Sequence, residues 1–140
     1  MNDDLMIRCI PLGPMGNLVY LIADKKTKKA AVIDPAWDVP LIVNEAERYS
    51  LTIVCGLLTH GHYDHSDGAK ELARKFDIPI YISESEIKLY WPDCPNLKKT
   101  RDQEKINLGD AVITCIQTPG HAPGCQCFHI GKHLFTGDTL

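Results

Sequence analysis

Short apolar runs punctuated by turn residues cover most of the chain, and their order predicts a mixed α/β protein. Met6–Leu12 and Leu18–Ala23 are apolar stretches separated by the turn cluster Gly13-Pro14-Met15-Gly16-Asn17, so they read as two strands of a meander. A charged hairpin, Asp24 to Lys29, leads into a third strand, Ala30–Ile33, closed by Asp34-Pro35. Helical spacing then takes over, with Leu41, Ile42, Glu45, Ala46 and Tyr49 on one side. The run 52–58 predicts a buried strand, and 66–76 a helix whose apolar face is Ala69, Leu72, Ala73 and Phe76, capped by Ser66 or Asp67.

Downstream the same reading gives a strand at Ile78–Ile82 and a brief helix to Tyr90, opened by the capping-box pair Ser83 and Glu86. Trp91–Thr100, with two prolines, reads as a loop and Asn107–Asp110 as a turn. Strands follow at Ala111–Ile116, 125–130 and His133–Thr136, the last two joined by a Gly131-Lys132 hairpin. Strands, then strand–helix alternation, then strands again is the order of a layered α/β sheet protein.

With 140 residues the chain is expected to form a single domain, 1–140. A net charge of −3 offers no basic surface for nucleic acid, and no window approaches the ~18 apolar residues that cross a membrane. The acidic start, Met-Asn-Asp-Asp-Leu, is unlike a secretory signal, which makes a cytoplasmic location the expectation. The six cysteines include no C-x-x-C pair, and Cys55 and Cys115 lie in apolar runs, so reduced thiols are expected.

The chemistry is concentrated in Thr59-His60-Gly61-His62-Tyr63-Asp64-His65, directly after the 52–58 strand. Imidazoles and carboxylates are the ligands a borderline cation such as zinc prefers. His60 and His62, two apart on extended backbone, can face one ion; Asp64 and His65 project differently and suit a second ion about 3.5–4 Å away. His121 sits in Thr118-Pro119-Gly120-His121-Ala122-Pro123-Gly124, a corner stiffened by two prolines, as positioning a ligand requires. Asp138, in Phe135-Thr136-Gly137-Asp138-Thr139, is either a further ligand or the acceptor of an Asx turn. Asp34 is either a carboxylate that orients the metal-binding segment or a plain strand-to-turn Asp-Pro. His129 and His133 flank the final hairpin and are excluded from the site.

Taken in order, His60-x-His62-x-Asp64-His65, Thr118-Pro119-Gly120-His121-x-Pro123-Gly124 and Phe135-x-Gly137-Asp138-Thr139 resemble the metal motifs of the metallo-β-lactamase-fold hydrolases. The glyoxalase II-like (hydroxyacylglutathione hydrolase-related) branch is the most similar. The resemblance implies a four-layer αβ/βα sandwich, of which this chain supplies the N-terminal half and the start of the second half. It also implies that His60, His62 and His121 hold a first zinc ion, Asp64 and His65 a second, and that Asp138 bridges them. Iron and manganese are the alternative ions. The family pattern continues to a last histidine that has no counterpart after Asp138, so the second site and the domain are expected to be incomplete at the C-terminal side.

The activity so implied is hydrolysis of a small-molecule thioester or ester by a metal-activated water, with Asp64 as the catalytic residue that ligates and orients it. Two alternatives stand beside it. One is an iron-dependent, persulfide dioxygenase-like sulfur oxygenase using His60, His121 and Asp138. The other is a non-catalytic metal-binding fragment, for which a homodimer would cover the incomplete sandwich.

Overall fold

A computed structural model describes residues 4–12, 17–35, 38–59, 68–84, 96–118 and 126–136. Within them β1 (Leu5–Leu12), β2 (Asn17–Asp24), β3 (Lys29–Ile33), β4 (Thr52–Leu57), β5 (Ile80–Ser83) and β6 (Leu97–Thr100) form one sheet in that order. A second sheet runs β10 (His133–Phe135), β9 (Gln126–Ile130), β8 (Ala111–Gln117), β7 (Lys105–Leu108). The first sheet is antiparallel through β1, β2 and β3, then parallel through β4, β5 and β6. Every pairing in the second is antiparallel.

Alternation along the central strands explains the layering. In β3, Ala30 and Val32 point to one side while Ala31 and Ile33 point to the other. The first side packs on two helices, α1 (Val39–Arg48) and α2 (Ala69–Phe76), through Ile42, Val43, Ala46 and Leu72. The second side faces Ile113, Cys115, Phe128, Ile130 and Phe135 of the other sheet. A strand covered on both faces reads as an unbroken apolar run, which is why Ala30–Ile33 shows no polar alternation. Among the described residues the layers are helix, sheet and sheet, three of the four layers of an αβ/βα sandwich.

Several local expectations are corrected. Leu97–Thr100 is the edge strand β6, parallel to β5, where a loop was expected, and Lys105–Leu108 is the strand β7, so the expected turn Asn107–Asp110 shortens to Gly109 and Asp110. The buried face of α1 is Val39, Ile42, Val43 and Ala46, and Leu41 is exposed. That helix starts at Asp38, whose carboxylate accepts from Leu41 N–H at 3.1 Å, with Pro40 in its first turn. Helix α2 begins at Ala69 with Gly68 at the cap position and no side-chain cap bond. The expected caps Ser66 and Asp67, and the brief helix to Tyr90 beyond Glu84, lie outside the described residues.

Candidate metal centre

The parallel strands β3, β4 and β5 all end at one rim of the sandwich, where the antiparallel β2 begins. In the second sheet β8 ends, β9 begins and β10 ends on one side, since Gln117 pairs with Gln126 and Phe135 with Phe128. A 2.8 Å bond from Gln126 N–H to Thr59 C=O joins the two sides. Stacked sheets normally lie about 10 Å apart, beyond hydrogen-bond reach, so here the two sheets converge. Ends of strands are where open α/β sheets present their chemistry.

All six candidate ligands, His60, His62, Asp64, His65, His121 and Asp138, lie outside the described residues. Each belongs to a segment that departs from this rim: 60–67 follows Thr59, 119–125 connects Thr118 to Gln126, and 137–140 follows Thr136. Among the described residues no three His, Cys, Asp or Glu side chains assemble a metal site. The donor chemistry of the sequence, four imidazoles and two carboxylates, fits zinc.

The flanks of these segments are held firmly. Asp34, 3% exposed, adopts a left-handed backbone (φ 53°) that a short polar side chain tolerates. Its Oδ1 accepts from Thr59 N–H and its Oδ2 from the Thr59 hydroxyl, both at 2.8 Å. Thr59 is the residue before His60, so the carboxylate fixes the backbone from which the first imidazole departs. The 60–67 segment rejoins at Gly68, whose N–H donates to Pro35 C=O at 3.0 Å. A Cβ at Gly68 would stand 2.8 Å from Val39 Cγ2 and 3.1 Å from Pro35 O, so close approach, not a special φ, requires glycine there. Asp34-Pro35 thus anchors both ends of the histidine-bearing segment.

Behind the rim runs a buried polar chain. Gln126, fully buried, donates from Nε2 to Leu58 C=O (3.0 Å) and accepts at Oε1 from the Thr100 hydroxyl (2.9 Å) and from Gln117 Nε2 (3.4 Å). The Ser83 hydroxyl donates to Gln117 Oε1 at 3.2 Å, and Gln117 N–H to Asp102 Oδ1 at 2.8 Å. The Thr118 hydroxyl lies 3.6 Å from Cys127 Sγ. Sequence reasoning missed this chain. In the sequence Gln126 is one of two polar positions of its strand, with His129, and nothing marks it out. His129 is exposed and His133 half-buried on the final hairpin, away from the rim.

The profile of the metallo-beta-lactamase superfamily matches residues 12–140. The chain belongs to the metallo-beta-lactamase superfamily. Among its curated relatives, a probable polyketide biosynthesis zinc-dependent hydrolase, BaeB, of Bacillus velezensis is 38% identical over 124 residues. That alignment covers 89% of this chain and 55% of BaeB. The cytoplasmic isozyme of hydroxyacylglutathione hydrolase from Saccharomyces cerevisiae is 33% identical over 131 residues, 89% of this chain and 48% of the yeast protein. The chain therefore spans about half the length of these curated relatives. In three dimensions it resembles the crystal structure of ETHE1 from Myxococcus xanthus with a TM-score of 0.86 and 25% identity, over 96% of this chain and 58% of that one. As members of one superfamily they share the sandwich fold, and the described sheets are its two central layers.

Proposed function

We propose that this chain carries the metal centre of a zinc-dependent hydrolase that cleaves a thioester or ester. The observation that carries the reading is the rim where Thr59 and Gln126 meet. It brings the stem of the H-x-H-x-D-H segment beside the residue that follows the His121 corner. In this reading His60, His62 and His121 would hold one zinc ion, Asp64 and His65 would hold a second, and Asp138 would serve both. Zinc held by such a set would lower the pKa of a bound water to near neutrality and would polarise a carbonyl. The protein's own part is Asp64 as ligand and orienting group, with Asp34 and Thr59 holding the backbone before His60. The similarity to BaeB, a probable zinc-dependent hydrolase, supports zinc dependence, and the similarity to the yeast hydroxyacylglutathione hydrolase supports hydrolysis.

The test has two stages. Elemental analysis of the purified chain should find one to two zinc ions, and hydrolysis of a panel of acyl-glutathione and acyl-pantetheine thioesters should vanish with a chelator and return with zinc. Zinc-loaded chain without turnover would replace the hydrolase by a non-catalytic metal-binding unit. Iron in place of zinc, with oxygen uptake on a persulfide, would favour the sulfur oxygenase.

A further inference from the structure

We propose that Gln126 is a positioning residue for the metal centre: its side chain sets the distance between the two ligand-bearing segments. The inference rests on the metal-site reading above and adds a residue outside the metal motifs.

A strand position that only fills a core is best occupied by an apolar side chain, because burying a carboxamide is costly unless its partners are supplied. Gln126 has its partners. The acceptor-only carbonyl of Leu58 fixes which end of the amide is Nε2, and the Thr100 hydroxyl and Gln117 amide then meet Oε1. These contacts come from three other strands or their extensions: Leu58 follows β4, Thr100 ends β6 and Gln117 ends β8. The main chain of Gln126 adds its bond to Thr59 C=O. Two successive carbonyls, one and two residues before His60, are therefore held by the single residue that closes the 119–125 segment. Only the side-chain bond to Leu58 can be removed without changing the backbone. Since a ligand set tolerates errors of only about 0.5 Å, loss of that bond should be felt as metal affinity.

The experiment compares the full chain with Gln126→Met, which keeps the volume and removes the amide, and with Thr100→Val, which removes one of the two bonds to Oε1 and leaves the bond to Leu58. A core control, Ile130→Val, lowers stability away from the rim. Zinc affinity is measured by chelator competition at a temperature where each apo chain is folded, and site geometry by the visible spectrum of the cobalt(II)-substituted protein. The expectation is a loss of about tenfold or more in zinc affinity for Gln126→Met, the range typical of groups that orient ligands. The cobalt bands should change as well. Thr100→Val should move both in the same direction by less, and Ile130→Val should move neither. If Gln126→Met lowers only the apo melting temperature, with affinity and cobalt spectrum as in the wild type, the inference is overturned while the metal centre stands. If the wild-type chain binds neither ion, the metal-site reading fails and takes the inference with it. Should Gln126→Met not fold, Thr100→Val decides by the same two readouts.

Discussion

Replacing Asp34 by alanine should be the most damaging single change at the rim, and its cost can be worked from two bonds and one dihedral angle. The carboxylate accepts from both donors of Thr59, N–H and hydroxyl, each at 2.8 Å, and Thr59 is 2% exposed. Hydrogen bonds to a charged group contribute about 1.5–3 kcal/mol each. Alanine at φ 53° adds about 1 kcal/mol of backbone strain in a region that aspartate tolerates better. Asp34→Ala should therefore cost about 4–7 kcal/mol, a large share of the roughly 5–15 kcal/mol that holds a domain together. Asp34→Asn keeps the shape and the tolerance for the left-handed region. It can still accept from Thr59 N–H while the hydroxyl turns to accept from the new amide, so its cost falls to about 1–3 kcal/mol. The assay is urea unfolding of the metal-free chain followed by circular dichroism, with the midpoint read at constant m. A double-mutant cycle of Asp34→Ala with Thr59→Val then isolates the hydroxyl bond, with an expected coupling of at least about 1 kcal/mol. Additivity within about 0.5 kcal/mol, or an Asp34→Ala cost below about 1 kcal/mol, would refute the view that this carboxylate holds the stem of the metal segment.

Two further outcomes follow from ionisable groups away from the rim. The Asp24 carboxyl is held below the usual carboxylate range, first by Asp110 N–H at 2.7 Å, then, against the opposing effect of burial, by the Thr27 hydroxyl and Lys26 N–H. A depressed folded-state pKa contributes stability above the unfolded value of about 3.9 and loses it as pH falls through the folded value. Urea midpoints of the wild type should thus drop more steeply below about pH 4 than those of Asp24→Asn, and parallel curves would exclude the effect. Burial pushes the thiols of Cys55 and Cys115 up to about 12, whereas Cys9 is exposed. Because the thiolate is the nucleophile, labelling at about pH 8 should reach Cys9 in minutes and reach Cys55 and Cys115 only on unfolding, as mapped by mass spectrometry.

What the sequence made legible was what a strong local pattern encodes. Apolar runs such as Ala30–Ile33 and Ile53–Leu58 located the central strands, and the histidine cluster located the rim. The edge strand β6 escaped because Leu97-Lys98-Lys99-Thr100 is what an edge requires, with lysines that discourage a further strand from pairing. Strand β7 has four residues and merges into the Gly109 turn, too short for alternation to register. The face of α1 was misassigned because Leu41 is apolar yet exposed, while the first turn buries Val39 ahead of the windowed pattern. Gly68 and Gln126 were invisible for a different reason. Each is required by a contact with a residue more than thirty positions away in sequence, Pro35 for the glycine and Leu58 for the glutamine. Such requirements leave no periodicity behind.

The two rims of the sandwich divide the work, and Gly109 tests the division. At the rim opposite the metal motifs, the turn between β7 and β8 rests on the hairpin between β2 and β3 through Asp24. Gly109 has φ +61°, and a Cβ there would press onto Thr27 Oγ1 and Asp24 Oδ2, the two groups of the latch. Gly109→Ala should then cost about 1 kcal/mol for the backbone and about 1–3 kcal/mol for the displaced bonds to Asp24. The full length of the sandwich separates that damage from the Thr59–Gln126 junction. Zinc affinity of the folded variant should accordingly stay within about threefold of the wild type, less than about 0.7 kcal/mol, although stability falls by several times as much. An affinity loss that tracks the stability loss would mean that the sheets transmit strain from one rim to the other. Asp34 and Gln126 would then matter to the metal as parts of the core, with no positioning role of their own.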